Sequence, residues 1–259
     1  MPYNAHHLLA AFTLWCSAST AVAESWIDLT HSLYSEAVFW PTAAPFRLTT
    51  DAQGMTEAGY YYSAYSFSAA EHGGTHIDAP VHFAEGRMTV DEIPLTSLIG
   101  EAVVIDISSP AGKDRDYQMT VADVQRHESE HGIISEKAIV LIRTDYSRFW
   151  PDAKAYLGTA LRGEAGVAAL HFPGLHPDAA RWLVAARRIK AIGIDTASID
   201  FGQSKAYESH VALMQSNIPA FENVTRLDQL PATGAFVVAL PTKIQGGSGG
   251  PLRIVARLD

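Results

Sequence analysis

The sequence predicts an α/β fold in a single domain, with a mixed, largely buried sheet flanked by helices. Three observations point to it. Short Val- and Ile-rich runs recur between Gly, Pro or charged residues, helical patterns lie between those runs, and no low-complexity run, charge block or repeat divides residues 24–259. With 259 residues, 47% of them hydrophobic, the chain has material for one sizeable core.

The first 23 residues stand apart. Met1 to His7 leads into the apolar stretch Leu8 to Ala18, and Ala21-Val22-Ala23 fits the small-x-small cleavage pattern of a signal peptide. The leading segment departs from that pattern in carrying no Lys or Arg, only the terminal amine, His6 and His7. The apolar stretch is too short for a permanent membrane anchor. Cleavage after Ala23 leaves a periplasmic or secreted chain, residues 24–259, with no membrane segment. Cys16 is the single cysteine and departs with the leader, so disulfides and thiol catalysis are both excluded.

Residues 25–70 set Trp, Tyr, Phe, Thr and Ser in extended patterns among Pro and Gly, which predicts a β-rich, loop-rich start. Its aromatics suit the wall of a small-molecule pocket and an ordinary core about equally. Strands are then expected at Ala102 to Ile107, Ala138 to Ile142, Val167 to Phe172, Ile189 to Ile194, Ala235 to Leu240 and Leu252 to Ala256. Thr120 can cap a helix running towards His131, and Pro177 can occupy the first turn of a second helix through Arg188. A third, from about Glu208 to Ser216, ends before Ile218-Pro219. A net charge of -9, with only 19 Lys plus Arg, provides no basic face to follow a phosphate backbone, which excludes nucleic acid as a partner.

The chemistry concentrates between His72 and Phe83. Three histidines and one aspartate fall within eleven positions, flanked by Gly73-Gly74 and Pro80, which argue against a continuous helix. In an extended chain His76 and Asp78 project to one face, and a turn at the two glycines can bring His72 round to join them. Imidazole nitrogens and a carboxylate oxygen suit Zn(II) or Mn(II), and three protein ligands leave a position open for water. His82, displaced beyond Pro80, is better cast as the general base or acid. A lone histidine would be more simply read as hydrogen-bonded on a polar loop; four interleaved donors are the mark of a metal site. A closed structural zinc site would usually include cysteine.

Other candidates carry less. Asp195 and Asp200 follow a buried strand and read either as groups that orient ligand histidines or as turn-forming aspartates. His171 reads as a satisfied core histidine. Gly246-Gly247-Ser248-Gly249-Gly250 lacks the Lys and following helix of a phosphate loop and reads as a flexible turn near the pocket or an oligomer interface. No Gly-x-Ser-x-Gly elbow is present, which disfavours a serine hydrolase.

The string His72-x-Gly74-Thr75-His76-x-Asp78-x-Pro80-x-His82-Phe83 resembles the full signature of the cyclase family, whose members include bacterial kynurenine formamidase and isatin hydrolase. Phe39-Trp40-Pro41, Phe172-Pro173-Gly174-Leu175, Gly193-Ile194-Asp195-Thr196-x-Ser198-x-Asp200 and Gly250-Pro251-Leu252-Arg253 are similar to further family landmarks, so the likeness spans about residues 26–257. The resemblance implies a swivelling β/β/α-like architecture, a homodimer, and a metal site on His72, His76 and Asp78. It adds His210, and Glu222 twelve positions later, to complete a second or enlarged site, and it places Trp40, with Phe39 beside it, on the substrate. Hydrolysis of a C–N amide bond in a small aromatic or cyclic substrate follows as the expected reaction, on isatin, on N-formylkynurenine or on a related lactone. Export favours isatin, since formylkynurenine is a cytoplasmic metabolite. A periplasmic metal- or ligand-binding protein without catalysis is the reading from another class, and it would leave His82 without a role.

Overall fold

The structure, a computed structural model, describes residues 25–258. The expected leader, residues 1–23, lies outside the described residues. Among those described, the chain forms β1 (Ser25–Asp28), β2 (Arg47–Met55), β3 (Tyr61–Ser68), β4 (His76–Asp78), β5 (Ile99–Asp106), β6 (Gln118–Met119), β7 (Ile139–Arg143), β8 (Gly174–Leu175), β9 (Ala191–Ile194), β10 (Ala220–Glu222), β11 (Thr233–Pro241) and β12 (Gly249–Leu258). No helix among them is long and apolar enough to cross a membrane.

Seven strands, in the order β12-β11-β5-β7-β9-β10-β4, return to β12 and close a barrel, while β1 adds to the far end of the same β12 edge. β5, β7, β9 and β10 run parallel and the other barrel pairings are antiparallel, so the sheet is mixed as expected. Parallel neighbours need long crossovers. The helices Val121–His131 and Pro177–Trp182 provide them, and their apolar faces cover the outside of the barrel.

β7 shows why its sequence reads as a continuous apolar run. Ile139 and Leu141 point into the barrel, against Phe221 and Ala191, whereas Val140 and Ile142 point outward to the helix layer with Val124 and Leu183. A strand buried on both faces has no polar side to alternate with. The Val121–His131 helix begins where Thr120 predicts. Its hydroxyl accepts from the Asp123 amide at 3.3 Å, and the Asp123 carboxylate accepts from the Thr120 amide at 2.8 Å, a reciprocal cap. The second helix starts at Pro177, widens to a π-helix over Leu183–Arg187 and stops at Arg188, which has left-handed dihedrals. The third spans Glu208–Met214.

One expected strand is absent, and a helix takes its first two residues, Val167 and Ala168. Residues Gly163–Ala168 coil, and Leu170 and Phe172 then enter a third core cluster with Tyr146, Tyr156 and Leu157, with no sheet partner for Val167 to Phe172. A short apolar run carries no periodicity that separates a strand from a buried turn of helix.

The β-rich start is present as β1 and the β2–β3 hairpin. β2 and β3 pair only with each other. Leu48, Met55, Tyr61, Tyr62, Tyr65 and Phe67 on this ribbon are 44–68% exposed, so most aromatics of this region line neither core nor pocket.

Candidate active site

β4 enters the barrel between β10 and β12, and its register decides what meets what. His76 lies opposite Glu222 on β10, and Asp78 lies opposite Gly249 on β12. The chain reaches β4 through Gly73 and Gly74. Gly74 has φ +61°, and a Cβ on Gly73 would sit 2.0 Å from the ring of Phe39, whose backbone bridges to that same glycine. The turn swings His72 back over the strand, as its two glycines predict. His210 comes from the buried face of the Glu208–Met214 helix, and His82 ends the turn Pro80–His82.

The six expected chemical residues meet. Asp78 offers one oxygen to His72 Nδ1 at 2.6 Å and His76 Nε2 at 3.1 Å, and the other to His210 Nε2 at 3.0 Å. Glu222 faces His76 Nε2 at 3.4 Å and His210 Nε2 at 3.1 Å. His76, Asp78, His210 and Glu222 are each at most 4% exposed. His82 is nearer than its place beyond Pro80 suggests: its ring stacks on His72 at 3.9 Å, and it contributes a ligand atom within 4.8 Å of those of His72 and Asp78. His76, Asp78 and Glu222 form an overlapping triplet by the same measure. Three imidazoles and two carboxylates, with no thiol, are a donor set that fits a divalent cation of the manganese or zinc kind.

The surroundings aim these donors. His76 Nδ1 donates to the Gly74 carbonyl at 3.0 Å and His210 Nδ1 to Asp200 at 2.6 Å, which turns both Nε2 atoms towards the carboxylates. Burial opposes charge on His76, yet its hydrogen bonds to the carboxylates of Asp78 and Glu222 outweigh it and raise its pKa to about 10. His210 is raised likewise, against burial, by Asp200, Asp78 and Glu222. Burial would lift Asp78, but the histidines, His72 foremost, hold its carboxyl well below the usual range. His82 is exposed to the cavity at its outer side, while burial of the remainder lowers its pKa to about 4 despite Asp78.

Above the cluster lies a cavity of about 370 Å³, ample for a small bicyclic molecule. Trp40, Phe39, Phe83 and Tyr207 form its aromatic wall. Trp40 is held edge-on by Phe172, with ring centres 6.4 Å apart. Phe39 is only 4% exposed and serves more as floor than as a free contact.

The two aspartates divide their expected roles. Asp200 orients His210, whereas Asp195 accepts from Thr144 Oγ1 at 2.7 Å and from the Thr144 and Asp145 amides, and so organises a turn away from the cluster. Burial pushes the Asp195 carboxyl up to about 7. His171 is no core residue: it lies exposed and pairs with Asp116 at 2.7 Å. Two site residues had no reading from sequence. Tyr207, with φ +48°, caps the His210 helix and closes the wall against Phe83. Asn223, φ +54°, donates to the Gly74 carbonyl at 2.7 Å and accepts from the Tyr156 hydroxyl at 2.9 Å. Its position after Glu222, and the tolerance of asparagine for left-handed dihedrals, were the available signal.

The chain matches the model of the family described as putative cyclase over residues 27–201. It is 34% identical over 194 residues to an isatin hydrolase of Roseibium aggregatum, covering 72% of this chain and 71% of that protein. It is 28% identical to a kynurenine formamidase of Bacillus cereus, covering 90% and 97%. Among solved structures, isatin hydrolase A from Labrenzia aggregata bound to benzyl benzoate superposes with a TM-score of 0.82 at 35% identity, over 91% of this chain and 94% of that one. An isatin hydrolase bound to the product analogue thioisatinate gives 0.81 at 27% identity, over 91% and 92%. A shared family model, a shared fold and a signature whose members converge on one pocket lead to one assignment: the chain belongs to the cyclase family.

Proposed function

We propose that this protein is an exported, metal-dependent amidohydrolase that opens the five-membered ring of isatin to isatinate. The observation that carries the reading is the convergence of His72, His76, Asp78, His210 and Glu222 beneath an aromatic cavity, with His82 stacked on His72 beside them. His72, His76 and Asp78 would hold the first divalent cation, Mn(II) or Zn(II), and His210 with Glu222 would complete a second or enlarged position. Such a cation supplies polarisation of the amide carbonyl and acidification of the attacking water. His82 takes up the proton of that water and delivers it to the leaving nitrogen as the C–N bond breaks. Trp40, braced by Phe172, stacks on the flat ring and orients the carbonyl.

The likeness to isatin hydrolases supports isatin over N-formylkynurenine, and the apolar leader with its Ala21-Val22-Ala23 site supports export. Cleavage after Ala23 would remove none of the described elements. N-terminal sequencing of the exported protein should read from Glu24. The activity test is ultraviolet-monitored turnover of both substrates by residues 24–259, stripped of metal and reloaded with manganese or zinc. Loss of isatin absorbance restored by one metal is expected; turnover of formylkynurenine alone would make the protein an arylformamidase, and silence on both would remove the amidase reading.

A homodimer completes the proposal. An isolated two-stranded ribbon is marginal in water. Five exposed side chains share one face of the β2–β3 hairpin, Leu48, Met55, Tyr61, Tyr65 and Phe67, and at roughly 100 Å² each they offer a protomer much of the about 800 Å² that a standard interface takes from each partner.

A further inference from the structure

The glycine-rich turn Gly246 to Gly250 lies against His72, and the role assigned to the active site so far does not use it. We propose that Ser248, itself held by Glu71, is a positioning residue that fixes the tautomer of His72 and presents Nδ1, not Nε2, to the cation. The inference rests on the reading of His72 as a metal ligand.

The hydrogen bonds allow one direction of donation. Ser248 Oγ lies 2.6 Å from Glu71 Oε2, and the Ser248 amide donates to the same oxygen at 3.1 Å. A carboxylate only accepts, so the single hydroxyl proton of Ser248 goes to Glu71. The lone pairs of Oγ then face His72 Nε2, 3.0 Å away, and that nitrogen must be the donor. In the neutral ring that a cation requires, the proton therefore stays on Nε2, and Nδ1, directed at Asp78 Oδ1 at 2.6 Å, is the nitrogen left for the cation. Two electron-pair donors aimed together are what a shared cation satisfies. His76 and His210 are oriented by a carbonyl and a carboxylate on Nδ1; His72 is oriented from its opposite nitrogen by a hydroxyl.

The backbone explains why glycines flank the serine. A Cβ on Gly249 would sit 2.5 Å from the Ile77 carbonyl oxygen and 2.6 Å from Cε1 of His72, and one on Gly247 would sit 2.8 Å from Glu71 Oε1. The turn is tied to the chain that follows the site strand. The Ala79 amide donates to the Ser248 carbonyl at 2.8 Å and the Val90 amide to the Gly247 carbonyl at 2.9 Å. Ser248 is therefore fixed in place, as a group that orients a ligand has to be.

The test measures metal affinity on the metal-stripped mature chain by competition with a chromophoric chelator, and the His72 tautomer in the zinc-loaded protein by long-range ¹H–¹⁵N correlation. Ser248→Ala should weaken zinc and manganese binding by roughly 10–100-fold. Ser248→Thr, which keeps the hydroxyl, should restore most of that affinity, and the wild-type spectrum should place the His72 proton on Nε2. An unchanged affinity in Ser248→Ala, or a His72 proton on Nδ1, would overturn the inference. Melting of the metal-free variants controls for folding, and the wild-type spectrum decides the matter without any variant. A wild-type chain that binds neither metal would overturn the metal-site reading itself, which separates the two failures.

Discussion

Asp78 divides its two oxygens between His72 and His76 on one side and His210 on the other, so a single side chain joins everything the site does. His82 stands beside this set, and the prediction that separates its role is His82→Ala. Turnover should fall by about 10²–10⁴-fold while the bound metal, counted by elemental analysis, stays. A second prediction concerns His31, outside the pocket. Burial, helped by the charge of Arg226, lowers its pKa from 6.5 to about 4; its Nε2 has no partner and its ring stacks on Trp150 at 4.2 Å. Above pH 6.5 the residue is neutral folded or unfolded and contributes no pH dependence. Between 6.5 and about 4 the unfolded chain binds a proton that the folded chain refuses, so stability falls as pH drops, by up to about 2 kcal/mol at pH 5. His31→Phe keeps the stack and should flatten that fall in urea titrations at pH 7 and pH 5. The string His72 to His82 was legible because its donors are sequence neighbours. His210 was legible only through resemblance, since Asp200 and Glu222, which give it meaning, reach it through tertiary contacts.

Elements were legible where they were long or capped. The Val121–His131 helix carries its own start signal, and Thr120→Ala should cost about 1 kcal/mol in chemical denaturation by removing one half of the reciprocal cap with Asp123. β5, β7, β9, β11 and β12 announce themselves as apolar runs because both faces, or one face and a covered edge, are buried. Val167 to Phe172 looks the same in sequence and forms no strand, because its apolar side chains fill a third cluster that no local pattern reveals. β4 and β10, the two strands that bring His76 and Glu222 face to face, have three residues each. That is too short for any period to show, so the pairing at the heart of the site is a product of barrel closure.

At the scale of the whole molecule, the β2–β3 hairpin is the surface we propose for contact with a second copy. Replacing Leu48 and Phe67 with Ser should shift the protein from dimer to monomer in sedimentation velocity without lowering the melting temperature of the barrel, since neither residue joins the core clusters. The barrel itself was not legible; the sequence pattern implies a mixed sheet but not that it returns on itself through β4 and β12. That seam sets a timetable. Asp78 pairs with Gly249, so a ribosome must add about 170 residues after the histidine string before β4 has both neighbours. At about 5–20 residues per second the interval is roughly 10–35 s. Through it, β4 can gain β10 but not the β12 edge, so the register that sets Asp78 opposite Gly249 is fixed only when the last strand is made.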